Sequence, residues 1–512
     1  MEYKVIDSCE WTYPDVWDYA SETDKYKGYA LSGSYATFRV IVRGFENALS
    51  VSLDGADIYE EIAIPVEANP NFENGFLPHF PERIAPFSVY DCMKPYNEKI
   101  EKKNDVVSIY FAVRVESENI STEILLSDSV SEARIPVEVT VKGKLPKETL
   151  KIAMGYCIHQ VIEKHGLDPR DRREEFFEVD GKYLSMLRKM HQNRYFLEPE
   201  HIWKKDGQWH FDFSHFNRRV RKLLELGFNG FHINGIGFRR SWDGPEIIVH
   251  GMDGLSYEAY DFLRKYLPAL RENLRENGWL ENDMFCIGIA DEPNRFNALT
   301  YRALACMVRR YLPEIKIYDA VSYVPVYGAI DIWVPRADEF ERNRDAFENF
   351  KEDGDEVWHY VCLYPRDDGY INRFMDIPLL ATRYLYWANY KYDLSGYLHW
   401  SVNNYQGELD PYKASCPGHI NADSRSVLPA GDDKLLYPGD NEPYISARFE
   451  MHRESAEDYE MLRILSLHNK SLADEICASC FRSFTDVEFD PLKFRSAHNR
   501  LICEYASLSN NL

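Results

Sequence analysis

The chain has 512 residues, room for two to four domains of ordinary size. Its 45% hydrophobic and 28% charged content excludes a disordered, collagen-like or membrane-spanning chain. Acidic residues outnumber basic ones by 83 to 60, and a formal charge of −23 argues against nucleic acid or an anionic membrane surface as partner. No run approaches 18 consecutive apolar residues, and Met1–Asp7 lacks the basic-then-apolar pattern of a leader. Ten scattered cysteines fit a reducing compartment, so the expectation is a cytoplasmic protein.

In chain order, the first 145 residues read as β structure. Thr37–Val42, Val106–Val113 and Ile135–Val141 are β-branched and aromatic runs separated by turn formers, the pattern of a β-sandwich. Gly143–Pro146 reads as a linker. After residue 150, helical periodicity alternates with short apolar runs. Phe216, Val220, Leu223 and Leu224 mark one helix face, and Phe262, Tyr266, Leu270 and Leu274 the next.

Eight strands are expected: Ile152–Ile158, Arg194–Leu197, Gly230–Asn234, Phe285–Ala290, Lys316–Val321, Ile330–Val334, Trp358–Tyr364 and Gly396–Val402. The fold class is therefore α/β: a (β/α)8 TIM barrel preceded by an N-terminal β-sandwich and followed by C-terminal helices. The expected domains are 1–145, 150–465 and 466–512. Arg448, Glu450, Arg453, Glu454, Glu457, Asp458 and Glu460 predict a salt-bridged helix closing the barrel.

In such a barrel the chemistry sits where the strands end. The fourth strand runs into Asp291-Glu292-Pro293. A neighbouring carboxylate and burial both raise a carboxyl pKa, giving one protonated acid beside one ionised partner, the division glycoside hydrolysis needs. The same acids would also suit a helix N-terminus. Trp333, Tyr364 and Trp400 are candidates to stack on sugar faces, and His232, Asn234, His399 and Asn403 to bind hydroxyls, with Tyr323 a further residue at a strand end; core packing is the alternative for the aromatic rings and turn formation for Asn403. Cys477-Ala478-Ser479-Cys480 lacks the second pair a zinc site needs and reads as two buried thiols. No nucleophile elbow, phosphate loop, dinucleotide fingerprint or metal-ligand motif occurs.

A sandwich leads into a barrel bearing Ile289-Ala290-Asp291-Glu292-Pro293, then Gly396–Asn403, Pro438-Gly439-Asp440 and Arg448–Glu460. That order is similar to glycoside hydrolase family 123, the β-N-acetylgalactosaminidases. The likeness covers about residues 150 to 470 and is only architectural over the sandwich; Ser455 stands where the pattern leads one to expect Gly. The resemblance implies that Glu292 is the general acid/base. Asp291 would steer the substrate's 2-acetamido group, which acts as nucleophile in a retaining, exo-acting reaction. It implies no metal and no organic cofactor. The expected partner is an oligosaccharide or glycoside, with oligomeric state left open. A glycosidase acting on a 2-hydroxy sugar, or a barrel that binds carbohydrate without turnover, are the alternatives.

Overall fold

The computed structural model describes residues 1–68, 83–167, 174–198, 201–241, 244–281, 283–322, 324–366, 369–405, 409–416 and 427–509. The N-terminal region forms two sheets. One, of seven strands, runs in the order Glu2–Asp7, Tyr35–Arg43, Val106–Arg114, Ala56–Val66, Phe87–Pro95, Pro443–Ser446, Leu436–Pro438. The other, of five, is centred on Glu132–Lys144 and Ile120–Ser127. The strand Val106–Arg114 shows why both its faces are apolar. Val107, Ile109, Phe111 and Val113 pack between the two sheets. Tyr110 and Ala112, on the opposite face by the two-residue period, join the core shared with the barrel.

Eight parallel strands close the barrel: Lys151–Met154, Arg194–Leu197, Gly230–Ile233, Phe285–Ile287, Lys316–Val321, Ile332–Pro335, Glu356–Tyr360 and Gly396–His399. All eight expected strands are present, and the first pairs with the last. Among the described residues helices follow seven of them. The connection from the fifth strand to the sixth holds none, so the expected repeat is one helix short there. Inside, Ala153, Cys286, Tyr318, Ala320, Ile332, Val334, Trp358, Tyr360 and Leu398 fill the barrel.

The helix Ala447–Cys480 starts with the Ser446 hydroxyl capping the Phe449 amide. Its φ/ψ leaves the helical region at Asn469. The charges from Arg448 to Glu460 are indeed ion-paired, but this part of the helix lies between barrel and sandwich, so they are buried or nearly so rather than solvated. Arg448 and Asp91 are both fully buried, with Nε–Oδ1 and Nη2–Oδ2 distances of 3.0 and 2.8 Å. Thr37 donates to Glu454 at 2.5 Å, and Arg453 bonds Glu450 and Glu457, each at 2.8 Å. Removing one partner of such a pair costs about 3–5 kcal/mol, because the other charge stays buried. The Arg448–Asp91 pair and the Thr37–Glu454 hydrogen bond thus tie the sandwich to this helix. The final helix, Pro491–Ser509, adds Arg495 to Asp7 at 2.6 Å. Cys477 and Cys480 are buried, and none of the ten cysteines is in a disulfide.

Candidate active site

Strand four ends at Ile287, three residues earlier than its apolar run suggests, because the chain must turn across the barrel mouth. Two glycines permit the turn. A Cβ on Gly235 would lie 2.8 Å from the Gly237 carbonyl, and one on Gly288 3.2 Å from the Gly235 amide. The excursion after strand three can therefore bond directly to strand four's exit, with Ile236 N–H to Gly288 O at 3.1 Å and Gly237 N–H to Ile289 O at 2.9 Å. Asp291 and Glu292 follow. Glu292 sits at φ +46°, a left-handed conformation that is uncommon for a non-glycine residue and concentrates at functional sites.

The two acids meet different surroundings. Tyr360, the last residue of strand seven and an inward-facing one, donates its hydroxyl to Glu292 Oε1. Arg239, from the short strand Phe238–Arg239, lies 4.0 Å from Glu292 Oε2. Asp291 opens onto a cleft of about 1240 Å³. The protein walls around it, then the like charges of Glu292 and Asp319, push its carboxyl up to about 7, with Arg239 pulling the other way. Water reaches Asp291 through the cleft mouth and tempers the effect of the walls, so the neighbouring charges are the durable part of that shift.

The cleft floor is the top of the barrel interior, with Phe196, Tyr318, Ala320 and Leu398. Its sides carry Glu198, Asn234, Arg239, Asp319 and Trp400. Asn234 donates to Glu198 at 2.9 Å. Trp400 donates its indole N–H to the buried Asp432 at 3.0 Å, which fixes the ring at the wall. Thus Asp291, Asn234 and Trp400 come together, with Glu292 beside them.

Other candidates lie elsewhere. His232 is buried in the layer beneath the floor, its ring centroid 4.4 Å from that of Tyr318, and burial holds its pKa well below the usual value. Trp333 points out of the barrel, stacking on Phe350 and donating to Asp355 at 2.8 Å, because Ile332 and Val334 on either side face in. His399 is fully buried, 3.3 Å from Asp432. Asn403 is a fastener whose side chain bonds the Cys157 amide and carbonyl at 2.7 and 3.1 Å. These four are therefore corrected from sugar contacts to core and framework residues. Tyr364 is part-exposed beyond strand seven, under the guanidinium groups of Arg336 and Arg366. Tyr323 lies outside the described residues.

Sequence reasoning missed Arg239 and Tyr360 and left Asp319 off the site. Strand parity was the available signal for Tyr360, two residues from Trp358 on the same inward face. No three His, Cys, Asp or Glu side chains among the described residues gather as a metal site. No helix of the described residues is long and apolar enough to cross a membrane. A second concavity, of about 870 Å³ on the sandwich, has Asp15 and Arg83 in its lining already paired with each other.

A protein-family model described as glycoside hydrolase 123, catalytic domain, matches residues 188–465. Among solved structures, a family 123 glycoside hydrolase from Clostridium perfringens, studied for glycolipid glycan hydrolysis, superposes with a TM-score of 0.75. The match covers 99% of each chain at 14% identity, a likeness of fold. A family 39 glycoside hydrolase from Bacteroides cellulosilyticus covers 85% of this chain and 82% of its own at 11% identity, with a TM-score of only 0.39. A comparison with curated proteins finds no match.

Proposed function

The chain belongs to glycoside hydrolase family 123, and from the site it builds we propose that it is a retaining, exo-acting β-N-acetylgalactosaminidase that uses the substrate's 2-acetamido group as nucleophile. The observation that carries this reading is the adjacency of Asp291 and Glu292 at the exit of barrel strand four, one open to the cleft and the other held by Tyr360.

The walls around Asp291 and the like charges beside it push that carboxyl towards its protonated form. An acetamido N–H donated to Asp291 favours the ionised carboxylate. It also makes the amide oxygen a better nucleophile toward the anomeric carbon and balances the positive oxazolinium that results. The proton then serves from Glu292, which passes it to the departing glycosidic oxygen, a step worth about 10²–10⁴-fold. Glu292 next takes a proton from the water that opens the oxazolinium, so the anomeric configuration is retained. Trp400 supplies an apolar face for the sugar and Asn234 a hydroxyl partner.

We assign residues 150–465 to a (β/α)8 catalytic barrel, 1–145 to a sandwich that braces it and 466–512 to a helical extension. Ten unpaired cysteines suit a cytoplasmic enzyme acting on short glycosides. The test is a pair of 4-nitrophenyl glycosides, 2-acetamido and 2-hydroxy, of galacto configuration. Turnover of the first only is expected, and turnover of the second only would overturn substrate assistance.

A further inference from the structure

A third carboxylate stands beside the pair. Asp319, on barrel strand five, is only 5% exposed. It turns out of the barrel towards the helix Ala298–Tyr311, whereas its neighbours Tyr318 and Ala320 face in. One oxygen, Oδ2, accepts three hydrogen bonds: from the Ile289 amide at 2.9 Å, the Ala290 amide at 3.2 Å and the Tyr301 hydroxyl at 2.5 Å. The other, Oδ1, lies 3.5 Å from where a Gly288 Cβ would stand. Asp319 therefore grips the amides of the two residues immediately before Asp291, just past the end of strand four, where the Ile289 carbonyl is already held by Gly237.

We propose that Asp319 is a positioning residue for this reaction: it fixes the turn that presents Asp291 and Glu292, and it sets a buried negative charge beside Asp291. The proposal rests on the reading of Asp291 and Glu292 as the reacting acids. Three donors on one oxygen are more than a turn needs for anchorage, and all three favour a carboxylate over an acid or an amide. Burial pushes Asp319 up only to about 6 against those donors, so it is ionised at neutral pH. Among the described residues, the charged and titratable groups facing the cluster include Glu292 and Asp291 on the turn, Arg239 from the excursion after strand three, Tyr301 from the helix, Tyr318 beside it on strand five, Tyr360 from strand seven and Cys362 just beyond it. Arg239 is a cation coupled to both Asp291 and Asp319, and the Asp319 charge works against it by favouring the protonated form of Asp291.

The test is a carboxyl-carbon NMR titration of the full chain, labelled at aspartate and assigned with Asp291→Asn and Asp319→Asn, together with the pH profile of kcat/KM. In Asp319→Asn the Asp291 titration is expected to move down by about one pH unit, and the alkaline limb of the profile with it. Turnover at the optimum should fall about 10- to 100-fold as the turn loosens. Asp319→Glu keeps the charge but misplaces it, so its turnover falls while the limb stays near that of the unsubstituted chain. If Asp319→Asn does not fold, Tyr301→Phe gives the reading. Its Asp319 titration should rise and its turnover should fall, whereas an unmoved titration would overturn the proposal. A loss of turnover in Asp319→Asn with both limb and titration unmoved would also overturn it, leaving only a structural role. Because the titration needs no substrate, a shift seen in a chain that turns over no 2-acetamido glycoside would sink the proposed activity and leave the Asp319 charge effect standing.

Discussion

The ion pair between Asp91 and Arg448 joins a sandwich strand to the helix that closes the barrel, and replacing Asp91 by Asn measures how firmly. Both side chains are fully buried. The Arg448 guanidinium also bonds the carbonyls of Arg373 and Gly431 at 3.1 and 2.5 Å, and Tyr437 donates to Asp91 at 2.6 Å. Asp91→Asn leaves the guanidinium pinned and uncompensated, a loss of about 3–5 kcal/mol. Unfolding entropy of about 2.1 cal/mol/K per residue gives roughly 1.1 kcal/mol/K for 512 residues, so Tm falls by about 3–5 °C if the chain melts as one unit. If the first 145 residues melted alone, the same loss would lower their transition by about 10–16 °C. Differential scanning calorimetry distinguishes the two, and one transition with the smaller shift is expected, because the seven-stranded sheet takes two strands from Leu436–Ser446. Asp91→Leu with Arg448→Met removes both charges and should recover most of the loss. A double variant no better than the single, or a single variant that melts like the unsubstituted chain, would refute the reasoning.

The two acids proposed to react should separate by leaving group. Glu292→Gln is expected to lose about 10²–10⁴-fold in kcat on glycosides with poor leaving groups and far less on activated aryl glycosides, while Asp291→Asn loses similarly on both. Equal patterns in the two variants would contradict the roles. Stability should respond in the opposite sense. The folded-state pKa of Asp291 is raised, so its contribution is most favourable at low pH and is lost as pH rises towards about 7. Asp291→Asn should therefore melt about 1 °C higher at pH 8, a gain kept small by solvent exposure, with the difference vanishing near pH 4. A gain that grew on acidification would contradict the like-charge account.

The barrel strands were legible because each is a short apolar run buried on both faces, a signal the local sequence carries whole. The Asp291-Glu292 pair stood out for the same reason, as acids directly after such a run. Strand ends were less legible. Strand seven reads as running to Tyr364 but stops at Tyr360, which hid the residue that meets Glu292. Trp333 and Asn403 were misplaced because side-chain direction follows pairing and parity, not residue type. Arg239 arrives on an excursion of three short strands, Phe238–Arg239, Ile247–Val249 and Met252–Asp253, whose course over the barrel no local pattern announces. The helix Ala447–Cys480 has the charge pattern of a solvated face. Only the tertiary fold, which covers it with the sandwich, turns those charges into buried fasteners.

The most direct measurement is a crystal structure with an N-acetylgalactosamine-derived thiazoline bound, whose five-membered ring copies the oxazolinium. The Asp291 carboxylate should lie within hydrogen-bond distance of the thiazoline nitrogen, with Glu292 facing the side where the leaving group departs. Glu292 on the nitrogen, or an inhibitor that does not enter the cleft beside Trp400, would contradict the division of labour between the two acids.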